Sequence, residues 1–119
     1  FEELLVKLKA WPNVFPILGD ARAPDRYAGV VGRAASVVED VAASDQVAIL
    51  VANCRAVLGK GGLALLFVKA RSIDSAKEPE EVFEMVKGAL RPAGLDLLEE
   101  RALEPFDRDH RALLLRWQG

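Results

Sequence analysis

The stretch Gly61-Gly62-Leu63-Ala64-Leu65-Leu66-Phe67-Val68-Lys69 constrains this chain most, because two glycines open an unbroken apolar run that stops at a lysine. Apolar continuity without alternation predicts a strand covered on both faces. Ligands of open α/β sheets bind just beyond the carboxyl ends of parallel strands, which would place Lys69 at the rim of a crevice. Spacing alone is equally compatible with a lysine that snorkels into solvent.

A length of 119 residues fits one domain. The formal net charge of −2 leaves no excess of positive charge to draw a polyanion to the whole surface. Cys54 is the single cysteine, so no internal disulfide forms, and one cysteine with one histidine cannot build a tight transition-metal site. Nothing reads as a signal peptide or a membrane-spanning run, so a soluble, reducing setting without a membrane partner is expected.

Phe1, Leu4, Leu5 and Leu8 recur at helical spacing until Trp11-Pro12 stops the pattern. Val14 to Leu18 reads as an edge strand, since Pro16 cannot donate a ladder hydrogen bond. It delivers Gly19-Asp20-Ala21, where a carboxylate could accept hydrogen bonds from an exocyclic amine or a ribose hydroxyl, or simply make a turn. Pro24 to Arg33 predicts a short helix with Tyr27, Val30 and Val31 inward. Ala35 to Val41 predicts a strand ending on Glu39-Asp40. Ser44 is the expected cap of a helix whose stripe is Val47, Leu50, Val51, Cys54, Val57 and Leu58, closed by Gly59.

Beyond Lys69, Pro79 opens a further helix with carboxylates in its first turn and Val82, Phe83, Val86 and Leu90 buried. Leu95 to Phe106 and Ala112 to Trp117 read as strands too close in sequence for a helical crossover, so they form an antiparallel hairpin with His110 in its turn. Alternating strands and helices closed by this hairpin specify an α/β domain with a mostly parallel sheet.

Asp40, Lys69 and His110 thus fall at strand ends. A carboxylate beside a lysine holds the ammonium, while partial burial and a second cation lower its pKa toward that of a useful base. An ordinary salt bridge with a surface histidine is the alternative. No Gly-x-Ser-x-Gly nucleophile motif occurs.

Four segments taken together closely resemble archaeal fibrillarin: Asn13 to Ala21, Glu39 to Ala42, Val68 to Asp74 with Lys77-Glu78-Pro79, and Glu104 to His110. The resemblance implies the C-terminal half of a class I S-adenosylmethionine-dependent methyltransferase sheet, Rossmann-like, with residues 1–119 a single partial domain that lacks the N-terminal glycine-rich cofactor loop. It implies RNA ribose 2′-O-methylation within box C/D guide RNA particles, in pre-rRNA and tRNA processing, in an archaeal cytoplasm or, in a eukaryote, the nucleolus. Asp20 and Ala21 are carried over as the adenine-contacting pair and Asp40 as the aspartate at the cofactor's methionine end. Lys69 is carried over as the catalytic lysine, His110 as the histidine completing the site, and Arg71 and Ser72 as RNA-binding positions. Implied partners are a Nop-family scaffold protein, guide and target RNA, and a kink-turn-binding protein.

Two departures stand out. The family usually continues Asp-Val-Ala with Gln-Pro, where this chain has Ala43-Ser44. The family's glycine-rich loop, the acidic residue for the cofactor ribose and a further catalytic lysine lie upstream of the first helix here. A non-catalytic truncated module that binds the scaffold without methyl transfer is therefore the alternative reading. Without sheet strands one and two, the Ala35 to Val41 edge would be bare. It could recruit Val14 to Leu18, a separate N-terminal half, or a second copy in a homodimer.

Overall fold

The computed structural model describes every residue except Glu104 and Phe106; the strand expected from Leu95 to Phe106 ends at Ala102, and Leu103 and Pro105 lie outside it. Four strands, β1 (Ala34–Glu39), β2 (Leu58–Lys69), β3 (Leu95–Ala102) and β4 (His110–Trp117), form one sheet in the order β1-β2-β4-β3. β1 and β2 are parallel, whereas β2–β4 and β3–β4 are antiparallel, the latter pair being the expected hairpin. Helices α3 (Gln46–Val57) and α5 (Pro79–Leu90) pack on one face of it, and the single turn α4 (Ala70–Ile73) follows β2 directly.

The core is built by strand periodicity. Ala64, Leu66 and Val68 of β2 and Leu113, Leu115 and Trp117 of β4 point to the helical face, where Leu50 and Cys54 of α3 and Val82, Phe83, Val86 and Leu90 of α5 meet them. The other face is not sealed. Leu63 is 36 % exposed and Val38 63 %, while Leu65 and Phe67 are half-buried, so the expectation of a strand covered on both faces holds for one face only. The physical reason is that both long helices lie on the same side, and helix α1 (Glu2–Leu8) buries none of its residues.

Departures from the sequence reading concentrate in the first third. Val14 to Leu18 forms no strand and pairs with nothing, so it does not move over onto the β1 edge. A strand needs a ladder partner. This segment is held elsewhere, because Asn53 Nδ2 donates to Ala21 O at 2.9 Å and Arg22 bonds Asp45 across 2.9 Å, which moors the following turn on α3. The helix expected over Pro24 to Arg33 is a 3₁₀ turn (Pro24–Arg26) and one helical turn, α2 (Ala28–Val31). Val30, expected to face inward, is 77 % exposed, and Val31 is exposed too, since no layer lies over them. Gly29 weakens the helix, and Gly32 at φ +69° ends it.

α3 begins with Asp45, not Ser44, at its N-cap and without a side-chain cap; Gln46 Nε2 instead donates to Val41 O at 2.8 Å. Its stripe is as expected for Leu50, Cys54 and Val57, and it also buries Gln46 and Ile49. The pairing of β2 with β1 shifts register between Ala34 and Ser36 and becomes regular from Leu63, immediately after Gly61 (φ +86°) and Gly62. α5 carries Pro79, Glu80 and Glu81 in its first turn as expected. Gly94 then closes the following turn at φ +93°, where a Cβ would meet the Trp117 ring at 3.2 Å.

Candidate active site

Lys69 is the last residue of β2, and its ladder partner across the antiparallel pair is His110, the first residue of β4. The histidine expected in the turn is therefore at a strand end, directly opposite the lysine and on the same face of the sheet. The junction is held from behind. Ala70 N–H donates to Asp109 O at 2.8 Å, and Arg71 forms a salt bridge with the Asp109 carboxylate. That guanidinium holds the Asp109 carboxyl below its usual range. Arg71 and Ser72, the expected RNA-binding positions, lie in α4, with Arg71 exposed but engaged by Asp109 and Ser72 half-buried.

Asp40 follows β1, one residue beyond the Glu39–Leu66 pair, and is exposed. Parallel pairing puts it at the same end of the sheet as Lys69. Asp20 is also exposed; its Oδ1 accepts the Arg22 N–H at 2.9 Å, and the residue lines an open cleft of roughly 420 Å³ with Ile17, Gly19, Ala23 and Tyr27. Ala21 is half-buried with its carbonyl on Asn53. The Tyr27 hydroxyl bonds Asn53 Oδ1, and burial raises its pKa, with the Glu39 and Asp20 charges adding to the effect against the Asn53 bond. The Asp20 turn and the end of β1 are thus electrostatic neighbours through Tyr27.

Three features escaped the sequence reading. Glu39 alternates with Asp40, so period-two geometry turns it toward the helices, where it is 6 % exposed. Burial, and next the Asp45 charge, push its pKa up to about 7. Folding therefore favours the protonated form, and stability is highest below the ordinary pKa of 4.5 and declines as pH rises through 7. Glu39→Gln should stabilise the protein by about 1–2 kcal/mol at pH 8 and change little at pH 5, allowing for partial hydration. Denaturant titrations at the two pH values check this, and an equal effect at both would show that Glu39 is ionised in the fold.

Arg111, next to His110, points to the helical face instead, its guanidinium 4.3 Å from the Phe83 ring and bonded to Glu80 (2.7 Å) and Glu100 (2.9 Å). Burial opposes the Glu100 charge, but hydrogen bonds from Arg111 and Lys87 outweigh it and lower its pKa. This network anchors the start of β4, and hence His110, to α5 and β3. The third feature is Asp107, which contacts His110 Nδ1. Cys54 is fully buried in the core; burial first, then the Glu39 charge, raise its thiol to about 11, as suits an inert side chain.

A strand-end cluster at one rim of an open mixed sheet, with helices on one side, is the arrangement of an open α/β sheet that takes its ligand beyond the strand ends. A family model described as Fibrillarin matches residues 1–119. The chain belongs to the fibrillarin family. It is 40 % identical over 117 residues to the fibrillarin-like rRNA/tRNA 2′-O-methyltransferase of Methanocaldococcus jannaschii, covering 98 % of this chain and 51 % of that protein. The solved M. jannaschii fibrillarin superposes with a TM-score of 0.94 over 99 % of this chain and 51 % of its own. A fibrillarin/Nop5p complex matches at TM-score 0.92 and 36 % identity, over 98 % of this chain and 56 % of that one. Aeropyrum pernix fibrillarin with natively bound S-adenosyl-L-methionine matches at 0.82 and 41 %, over 96 % and 50 %. The chain spans about half the length of the relatives it matches.

Proposed function

We propose that residues 1–119 are the C-terminal half of an RNA ribose 2′-O-methyltransferase of the fibrillarin type and supply its reacting groups. The observation that carries the reading is Lys69 paired across the ladder with His110, with Asp40 at the end of the neighbouring parallel strand. S-adenosylmethionine supplies an electrophilic methyl group when bound. Asp20 suits the adenine end: it lines a roughly 420 Å³ cleft, and Oδ1 satisfies the local turn while Oδ2 is left to accept from an exocyclic amine. Asp40, which forms no ion pair with Lys69 among the described residues, is placed to accept from the donor's amino group. Lys69, flanked by His110, holds the ribose 2′-hydroxyl and helps remove its proton as the oxygen attacks in line.

The partners proposed are guide and target RNA, a Nop-family scaffold and a kink-turn-binding protein, in a reducing archaeal cytoplasm. The relative solved with Nop5p supports the scaffold. A completing N-terminal half accounts for the bare face at Leu63 and Val38 and for the open β1 edge better than a homodimer, because the relatives are about twice as long. Ala43-Ser44 in place of Gln-Pro favours the second reading, a scaffold-binding module without transfer.

The test is nucleoside mass spectrometry of target RNA after incubation with the intact protein, scaffold, guide and methyl donor. A 2′-O-methyl nucleoside at the guided position is expected. Assembly without transfer would establish the module, and base methylation would contradict both readings.

A further inference from the structure

We propose that Asp107 is a positioning residue that fixes His110 as the Nδ1–H tautomer and presents Nε2 toward the Lys69 end of β2. The catalytic consequence rests on the methyltransferase reading; the tautomer does not.

The two oxygens of Asp107 divide their work. Oδ1 accepts the Asp109 N–H at 2.9 Å, which shapes the turn, and Oδ2 contacts His110 Nδ1. The carboxylate is itself placed by its own backbone, since Asp107 N–H donates to Leu103 O at 2.9 Å. The turn is fastened to the residue after Lys69 through Ala70 N–H and Asp109 O, and again through Arg71 and the Asp109 side chain. Asp107, His110 and Lys69 are therefore parts of one braced corner.

An ionised carboxylate only accepts, so a neutral imidazole facing it carries its proton on Nδ1 and a lone pair on Nε2. His110 Nδ1 is shut off from solvent and forms no aligned hydrogen bond among the described residues, while Asp107 Oδ2 approaches it within ion-pair distance. The His110 side chain is nevertheless 24 % exposed, so its open edge is the one away from Nδ1. That edge lies on the sheet face shared with Lys69. Nε2 is left to accept a hydrogen bond from the Lys69 ammonium or from a hydroxyl brought to it. The opposite tautomer would present N–H there and repel the ammonium. A carboxylate that orients a histidine by this means is a recurrent catalytic device.

Nitrogen-15 NMR of the intact protein above the titration range of histidine reads the tautomer, with His110 assigned by the signals lost in His110→Gln. The expected spectrum has a pyrrole-like Nδ1 and a pyridine-like Nε2. Asp107→Asn keeps an Oδ1 acceptor for the Asp109 N–H but turns an amide donor to the ring, so the tautomer should invert to Nε2–H. Asp107→Glu should restore Nδ1–H. In guided methylation, kcat should fall about 10²-fold in the Asn variant with KM for RNA nearly unchanged, and recover with Glu.

A wild-type Nε2–H tautomer, or no inversion in Asp107→Asn, would overturn the proposal, as would inversion with an undiminished kcat. Inactive wild-type protein would overturn the methyltransferase reading instead, and the NMR arm would still decide the tautomer.

Discussion

Alanine at position 69 should lower guided methyl transfer by about 10²- to 10⁴-fold while leaving particle assembly intact, the span that a positioned acid–base group contributes. Lys69 ends β2, whose ladder with β1 runs as far as Leu66, and its own backbone is held by its pairing with His110 of β4. Its side chain lies on the face away from the α3–α5 core, and truncation removes no core packing. Stability should therefore change little, which separates a chemical role from a structural one. Lys69→Arg sharpens the test. A guanidinium keeps the charge but does not give up a proton in this range, so it should rescue RNA binding more than turnover. Near-normal turnover in Lys69→Ala would exclude the residue from the chemistry.

Strands and helices that complete their own packing within the chain were legible in the sequence. The stripe of α5, the residues of β2 that face the helices and the short link between β3 and β4 each state a local pattern that this chain satisfies by itself. Val14 to Leu18 was misread for the opposite reason. Its pattern is that of a strand, yet a ladder needs a neighbour, and the mooring of Ala21 and Arg22 on α3 keeps it from the β1 edge. The prediction that β2 is covered on both faces failed likewise, since periodicity reports apolarity and not what lies over it. In the site, Lys69, Asp40 and His110 were legible because strand ends collect polar residues in sequence. Asp107 and Arg111 were not, because their roles depend on which face each turn residue meets, a matter of register that the turn sequence Asp107-Arg108-Asp109 leaves open.

The second large effect concerns the methyl donor. Residues 1–119 span about half of the relatives they match, and on the proposed reading they offer the Asp20 cleft and Asp40 while the other half of the length supplies the rest of the donor's contacts. Two or three missing hydrogen bonds, at roughly 1–1.5 kcal/mol each, lower affinity on the order of 10²-fold or more. Titration calorimetry of S-adenosylmethionine into residues 1–119, and into the same residues joined to the N-terminal half, measures this directly. Weak or undetectable binding by the first and tight one-to-one binding by the second is the predicted result, whereas tight one-to-one binding by residues 1–119 alone would contradict the claim that they hold only half of the site.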